Sequence, residues 1–239
     1  MKDVYQTYIF DLYGTLIDIE TDENCPRLWD AMMHHFRYKG METTADELKR
    51  LVDEEVERQL SEERKKCEVP DFVMEEVLAE VASKLNGKPS KAWLEETVRW
   101  FRTVSMRHIA LYDGVVEILE SLRAKGKKVY LLSNGQKTFI EAELKRLGIY
   151  KLFHGIAISS EAKLSKPDPL FYQYLSRTYG ADLSSAIMIG NDPRTDLEGA
   201  RRIGIDACYL HTASSPDNMK VESKFQIWDG DLRQIPGWA

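Results

Sequence analysis

The feature that most limits how this chain can fold is a set of short apolar runs, each ended by a polar residue and followed by a stretch of helical length. The runs are YIF at 8–10, VYLLS at 129–133, GIAIS at 155–159, AIMIG at 186–190 and ACYLH at 207–211. They read as buried strands. The segments between them, such as TFIEAELKRLG at 138–148 and LFYQYLSRTYG at 170–180, are amphipathic and close on a glycine able to take the left-handed C-cap conformation. Strand alternating with helix implies right-handed crossovers and a parallel sheet covered on both faces, a Rossmann-like doubly wound α/β core.

The first strand is separated from the next strand-helix unit, near Tyr112, by a long segment of different character. Residues 19–108 carry almost no strand signal and four helix-like stretches, roughly 24–39, 44–66, 70–86 and 90–107. In the second, Leu48, Leu51, Val52, Val56 and Leu60 share a face; in the third, Val73, Val77, Leu78 and Val81 do so. The expected organisation is therefore a core from 1–18 and 109–239, with a helical bundle at 19–108 inserted after the first strand. Placed there, the bundle would sit over the carboxyl ends of the strands, where open α/β sheets bind ligands, and could act as a lid.

Composition narrows the class. The 239 residues are 43% hydrophobic, enough for one ordinary core with a smaller attached domain. A formal charge of -6 and a pI near 5.5 argue against broad attraction to nucleic acid or an anionic membrane. Cys25, Cys67 and Cys208 lack the spacing of a zinc knuckle or a disulfide framework, which suggests a reducing compartment. The N-terminus has no signal-peptide h-region, and no apolar run of about 18 residues occurs, so a soluble cytoplasmic protein is expected. The sequence leaves oligomeric state open.

Four polar clusters follow strands and would converge at one sheet edge: Asp11 with Gly14 and Thr15; Ser133, Asn134 and Gly135; Lys166 in KLSKPDP; and Asn191, Asp192 and Asp196 in IGNDPRTDLEGA. A carboxylate at a strand end can attack phosphorus or carbon, forming a covalent intermediate that water later hydrolyses. Asp11 is the candidate nucleophile. Gly14 allows a tight turn near substrate and Thr15 can hold that turn. Ser133 and the backbone N–H groups at Asn134 and Gly135 could receive anionic oxygens beside a helix start. Lys166, before a rigid Pro-Asp-Pro entry into a helix, can be held as a point charge. If Asp11, Asp192 and Asp196 meet with Lys166 alone to balance them, two negative charges remain. Each like-charge pair at about 4 Å then costs on the order of 4 kcal/mol. A divalent cation would resolve this, and oxygen-only ligands point to magnesium.

In the order and position of these four motifs the chain resembles the haloacid dehalogenase superfamily of hydrolases, over about residues 6–18 and 110–211. The resemblance implies a cap domain of the first type at 19–108 and a small-molecule substrate, phosphorylated in the phosphatase branch. It implies an electrostatic role for Lys166. It also implies magnesium held by Asp11, the Tyr13 carbonyl and Asp192, with Asp196 acting directly or through water. Asn191 stands where relatives often carry an acid.

Tyr13 divides the family assignment. Phosphatases of the superfamily usually place a second aspartate there to protonate the leaving oxygen, and a tyrosine with a pKa of about 10 replaces it poorly. The pattern DxYGT is similar to that of 2-haloacid dehalogenases, which release halide without a proton or a metal; SNG at 133–135 and Tyr172 agree with that branch. Those enzymes guide substrate with a cap arginine, for which Arg27 and Arg37 are candidates. Weighing the acidic cluster above the single tyrosine, the reading is a magnesium-dependent phosphatase that favours leaving groups of low pKa. The alternatives are a metal-independent dehalogenase and a catalytically weak relative that binds a ligand or partner. The five histidines have no zinc spacing, and Trp93 and Trp100, seven apart on one helix face, read as packing residues.

Overall fold

The computed structural model describes residues 5–237; residues 1–4 and 238–239 of the expected core lie outside them. Six strands form one sheet: β1 (Thr7–Phe10), β4 (Lys128–Ser133), β5 (Gly155–Ile158), β6 (Ala186–Gly190), β7 (Asp206–Leu210) and β8 (Phe225–Ile227). Their order is β5-β4-β1-β6-β7-β8 and every neighbouring pair is parallel. The chain builds outward from β1 to one side and then returns to build out the other, so strand order reverses beside β1. Ligand crevices of open α/β sheets lie at such a reversal, outside the carboxyl ends of the strands.

The alternation of side chains along each strand divides the core in two. Tyr8, Phe10, Val129, Leu131, Ile187 and Ile189 face one way and pack on α5 (Val115–Ala124) and α6 (Lys137–Arg146). Ile9, Tyr130, Leu132 and Met188 face the other way, onto α8 (Pro169–Tyr179) and α9 (Glu198–Ile203). Burial on both faces explains why these strands are continuously apolar in sequence. The short α7 (Ser159–Ala162) follows β5 directly. The glycines expected to close two of these helices, Gly148 and Gly180, have φ of 78° and 71°.

Between β1 and α5 lie four helices: α1 (Pro26–Tyr38), α2 (Ala45–Glu63), α3 (Met74–Lys84) and α4 (Lys91–Ser105). They pack around Leu28, Met32, Phe36, Leu48, Val77, Leu78 and Val98, and Phe139 of α6 joins this cluster from the sheet side. Two sequence expectations need correction. The segment is not free of strand: β2 (Ile17–Thr21) and β3 (Met106–Leu111) pair antiparallel as the two legs that carry the helices, so boundaries at 18/19 and 108/109 cut through this ribbon. Both strands are half-buried and polar, and α4 runs into β3 without a break, which hides them from a search for apolar runs. Trp93 is buried as expected, whereas Trp100 is 46% exposed.

The buried face of α2 includes an acid. Glu55 is 1% exposed and accepts hydrogen bonds from Arg58, from Lys84 at 3.1 Å and from Gln59 at 3.3 Å. The Arg58 bonds foremost, with Lys84 and Gln59 and against burial, hold its carboxyl at about 2, below the ordinary 4.5. Because the folded value is depressed, this group contributes stability that is present above pH 4.5 and is lost as pH falls toward 2. Glu55→Gln is expected to lower stability at pH 7 by about 1–3 kcal/mol. The difference from wild type should shrink toward zero across that acid window, as measured by urea unfolding at a series of pH values.

Candidate active site

The carboxyl ends of β1, β4, β5 and β6 present four loops to one another. Asp11 follows β1, and its backbone N–H still pairs with the Ile189 carbonyl at 2.9 Å, which fixes where its side chain leaves the sheet. The next residues turn tightly: the Thr15, Leu16 and Ile17 amides all donate to the Leu12 carbonyl. Gly14 has φ of 81°, and a Cβ there would lie 2.4 Å from the Asn191 amide nitrogen. Its role in this structure is thus close approach to Asn191. Thr15, fully buried, donates its hydroxyl to Asp11 Oδ2 at 3.0 Å and lies 3.3 Å from Asn191 Oδ1.

Lys166 reaches the centre of this group. Its ammonium donates to Asp11 Oδ1 at 2.5 Å and to Asp196 Oδ1 at 2.7 Å, and the residue is 2% exposed. Burial alone would lower its pKa, but Asp11 and Asp196 raise it above the ordinary value, so it stays charged. Asp196 is also buried; burial, opposed by Lys166, pushes its carboxyl up to about 6. The other Asp196 oxygen accepts the Asp192 N–H at 3.0 Å, and Tyr172 donates its hydroxyl to the Asp196 carbonyl at 3.2 Å. Gly190 makes this possible, since a Cβ there would stand 2.2 Å from Asp196 Oδ2.

The Asp192 side chain makes its hydrogen bonds elsewhere, although the Lys166 charge also acts on it. Its carboxylate turns to Arg194, which donates at 2.7 and 3.0 Å and, against burial, holds it below the usual carboxylate range. The buried cluster therefore contains two carboxylates and one ammonium, with one net negative charge rather than the two expected. Asp196 spends its oxygens on Lys166 and a backbone N–H. What remains for a cation is Asp11, the Tyr13 carbonyl and the Asn191 amide oxygen, a set with a single carboxylate that Lys166 already neutralises. With Asp192 paired to Arg194, this donor set offers magnesium less charge than the sequence suggested.

The second loop also differs from expectation. Asn134 clamps the Lys166 backbone, accepting its N–H at 2.9 Å and donating to its carbonyl at 3.2 Å. The Gly135 N–H donates to Ser159 Oγ at 2.7 Å and the Lys137 N–H to Ser160 Oγ at 2.9 Å, so two donors at the start of α6 are already used. Ser133 is fully buried with its hydroxyl 3.5 Å from the Asn134 carbonyl, leaving it the better donor to a ligand.

Tyr13 points away from Asp11 chemistry. Its hydroxyl donates to Glu143 Oε2 at 2.6 Å, and burial first, then the Glu143 charge, raise its pKa well above 10 despite Arg102 nearby. Neither suggested cap arginine approaches: Arg27 is exposed, and Arg37 donates to the Thr43 carbonyl at 2.8 Å. The helical arginine that meets the core is Arg102, bonded to Glu143 Oε1 at 2.7 Å. Arg102 and Glu143 escaped sequence reasoning, yet each lies in the buried stripe of its helix, beside Val98 and Phe101 in α4 and beside Ile140 and Leu144 in α6. A charge at an apolar-phase position was the available signal.

Residues 5–204 match the family model for haloacid dehalogenase-like hydrolases. Among curated proteins, the chain is 28% identical over 161 residues to a phosphoserine phosphatase of Thermus thermophilus, covering 67% of this chain and 63% of that protein's own length. It is 26% identical over 228 residues to (S)-2-haloacid dehalogenase 2 of Pseudomonas sp., covering 95% and 93%. The crystal structure of 2-haloacid dehalogenase from Pseudomonas syringae pv. tomato superposes with a TM-score of 0.63 at 20% identity over 94% of both chains, a likeness of fold.

Removing the ammonium would leave Asp11 and Asp196 without the cation that bridges them. Lys166→Met is expected to destabilise the protein by about 3–5 kcal/mol at pH 7. Adding Asp196→Asn to it should recover part of that loss, as read from urea unfolding of the single and double variants.

Proposed function

Because the chain belongs to the haloacid dehalogenase-like hydrolase family, we propose that Asp11 displaces a leaving group that departs as a stable anion, with halide from a small 2-haloacid as the best-fitting class. The observation that carries this is the Tyr13 hydroxyl, committed to Glu143 and too weak an acid to protonate a leaving oxygen. The charge argument for a metal-assisted phosphatase required Asp192 beside Asp11, and Asp192 pairs with Arg194 instead. The Pseudomonas sp. dehalogenase, matched along 95% of this chain, supports the same branch.

In this mechanism an Asp11 oxygen attacks C2 of the haloacid; the new C–O bond forms as the C–halogen bond breaks, and halide leaves with the electron pair. Lys166 and Thr15 hold the carboxylate in place through hydrogen bonds to its two oxygens. Water then attacks the ester carbonyl, releasing a 2-hydroxy acid and a proton and restoring Asp11. Ser133 is the nearest candidate to receive the substrate carboxylate. The four helices act as a cap domain that keeps bulk water from the ester. They are clasped to the core where Gln136 bonds the Met74 N–H and the Phe72 carbonyl, and where Asp168 accepts the Glu68 and Val69 N–H groups.

A second reading, phosphoryl transfer to Asp11, is favoured by the match to the Thermus phosphatase. It too would require a leaving group of low pKa. Purified protein should release halide from 2-chloro- or 2-bromopropionate with undiminished rate in a chelator, and Asp11→Asn should lower that rate at least ~10³-fold, about 4 kcal/mol of barrier. Phosphate release from acyl or aryl phosphates that needs added magnesium, without halide release, would replace the first reading by the second.

A further inference from the structure

We propose that Glu143 is a positioning residue that ties the orientation of the Asp11 loop to the docking of the four helices. It sits in the middle of α6, 6% exposed, in a stripe otherwise formed by Phe139, Ile140 and Leu144. Its two oxygens are divided between two bodies: Oε2 takes the Tyr13 hydroxyl from the nucleophile loop, and Oε1 takes Nε of Arg102 from α4. The Arg102 guanidinium also lies 5.3 Å from the Tyr13 ring centroid and 4.9 Å from that of Phe139, and it stands 3.9 Å from Glu23 at the entry to the helices.

Tyr13 lies two residues after Asp11 in a turn closed by hydrogen bonds from Thr15, Leu16 and Ile17 to the Leu12 carbonyl and from Gly14 to the Ile17 carbonyl. Anchoring the Tyr13 ring thus helps fix the backbone from which Asp11 projects. If the helices lift, Glu143 loses Arg102 and the Tyr13 ring loses the guanidinium packed on it. Tyr13 is then held by Glu143 alone, and the loop that carries it is less firmly fixed. An apolar residue at 143 would pack on Phe139 and Arg102 at less desolvation cost, but it would not transmit docking to the loop.

The inference rests on Asp11 as the nucleophile, but its main test needs no substrate. Hydrogen exchange of a peptide covering residues 8–18 would be compared in wild type, Glu143→Ala, Glu143→Gln, Arg102→Met, Tyr13→Phe and the control Glu55→Gln, which breaks a buried ion pair of the helices far from the loop in bonding. Exchange in the loop is expected to rise about tenfold in Glu143→Ala and Arg102→Met, less in Glu143→Gln, and not in the control. Where turnover is measurable, kcat should fall about 10²-fold in Glu143→Ala with KM changed by less than about threefold, and Glu143→Gln should restore at least tenfold of it. Unchanged loop exchange in Arg102→Met with native helix content, or an equal rise in Glu55→Gln, would overturn the proposal. Should Glu143→Ala fail to fold, Arg102→Met and Tyr13→Phe decide the same comparison. Absence of halide release in wild type would sink the functional reading alone, leaving exchange to judge this one.

Discussion

The ammonium of Lys166, buried between Asp11 and Asp196, is the contact around which the rest of this molecule is arranged. Two carboxylates from adjacent strand ends cannot both be ionised in a dry crevice without a cation, and a lysine taken fully out of water needs close anions to stay charged. Each group therefore makes the others tenable. Much of the surrounding structure serves that balance: Asn134 grips the Lys166 backbone from both sides, Gly190 leaves room for Asp196, and Tyr172 and the Asp192 N–H occupy the remaining acceptors of Asp196. The order of the sheet, with β1 between β4 and β6, is what brings these pieces within bonding distance.

The chemistry open to the site follows from what that balance leaves over. Asp11 is anchored and only slightly exposed, and Tyr13, bonded to Glu143 and a weaker acid than a free phenol, offers a departing oxygen no ready proton. The amide at Asn191 and the pairing of Asp192 with Arg194 lower the charge available to a divalent cation. The proposed displacement of a stable anion is consistent with that arrangement.

The sheet was legible because burial on both faces writes itself as uninterrupted apolar runs, and the meeting of Asp11, Lys166 and Asp196 was legible because each follows such a run. The ribbon of β2 and β3 was not, since IDIET and MRHIAL are half-exposed and carry charges along their length. The partner of Asp192 was not legible either: Pro193–Leu197 forms a wider turn than a regular helix, and Arg194 within it bonds the Asp192 carboxylate. Glu143 and Arg102 were not singled out, because a single charge among the apolar positions of a helix is a weak signal until its burial is seen.

The helices meet the core through polar contacts more than through packing. Phe139 is the apolar bridge, while Gln136, Asp168, Ser165, Thr138 and Glu143 supply hydrogen bonds and ion pairs. Interfaces of that composition resemble those between domains that move, because water can replace each bond as it opens. Glu143 is different, being too deeply placed for water to compensate readily. An otherwise yielding interface with one costly contact beside the Asp11 loop fits the proposals made above: the rim can loosen at little cost, while the Glu143 contact to Arg102 re-forms only when the helices are docked.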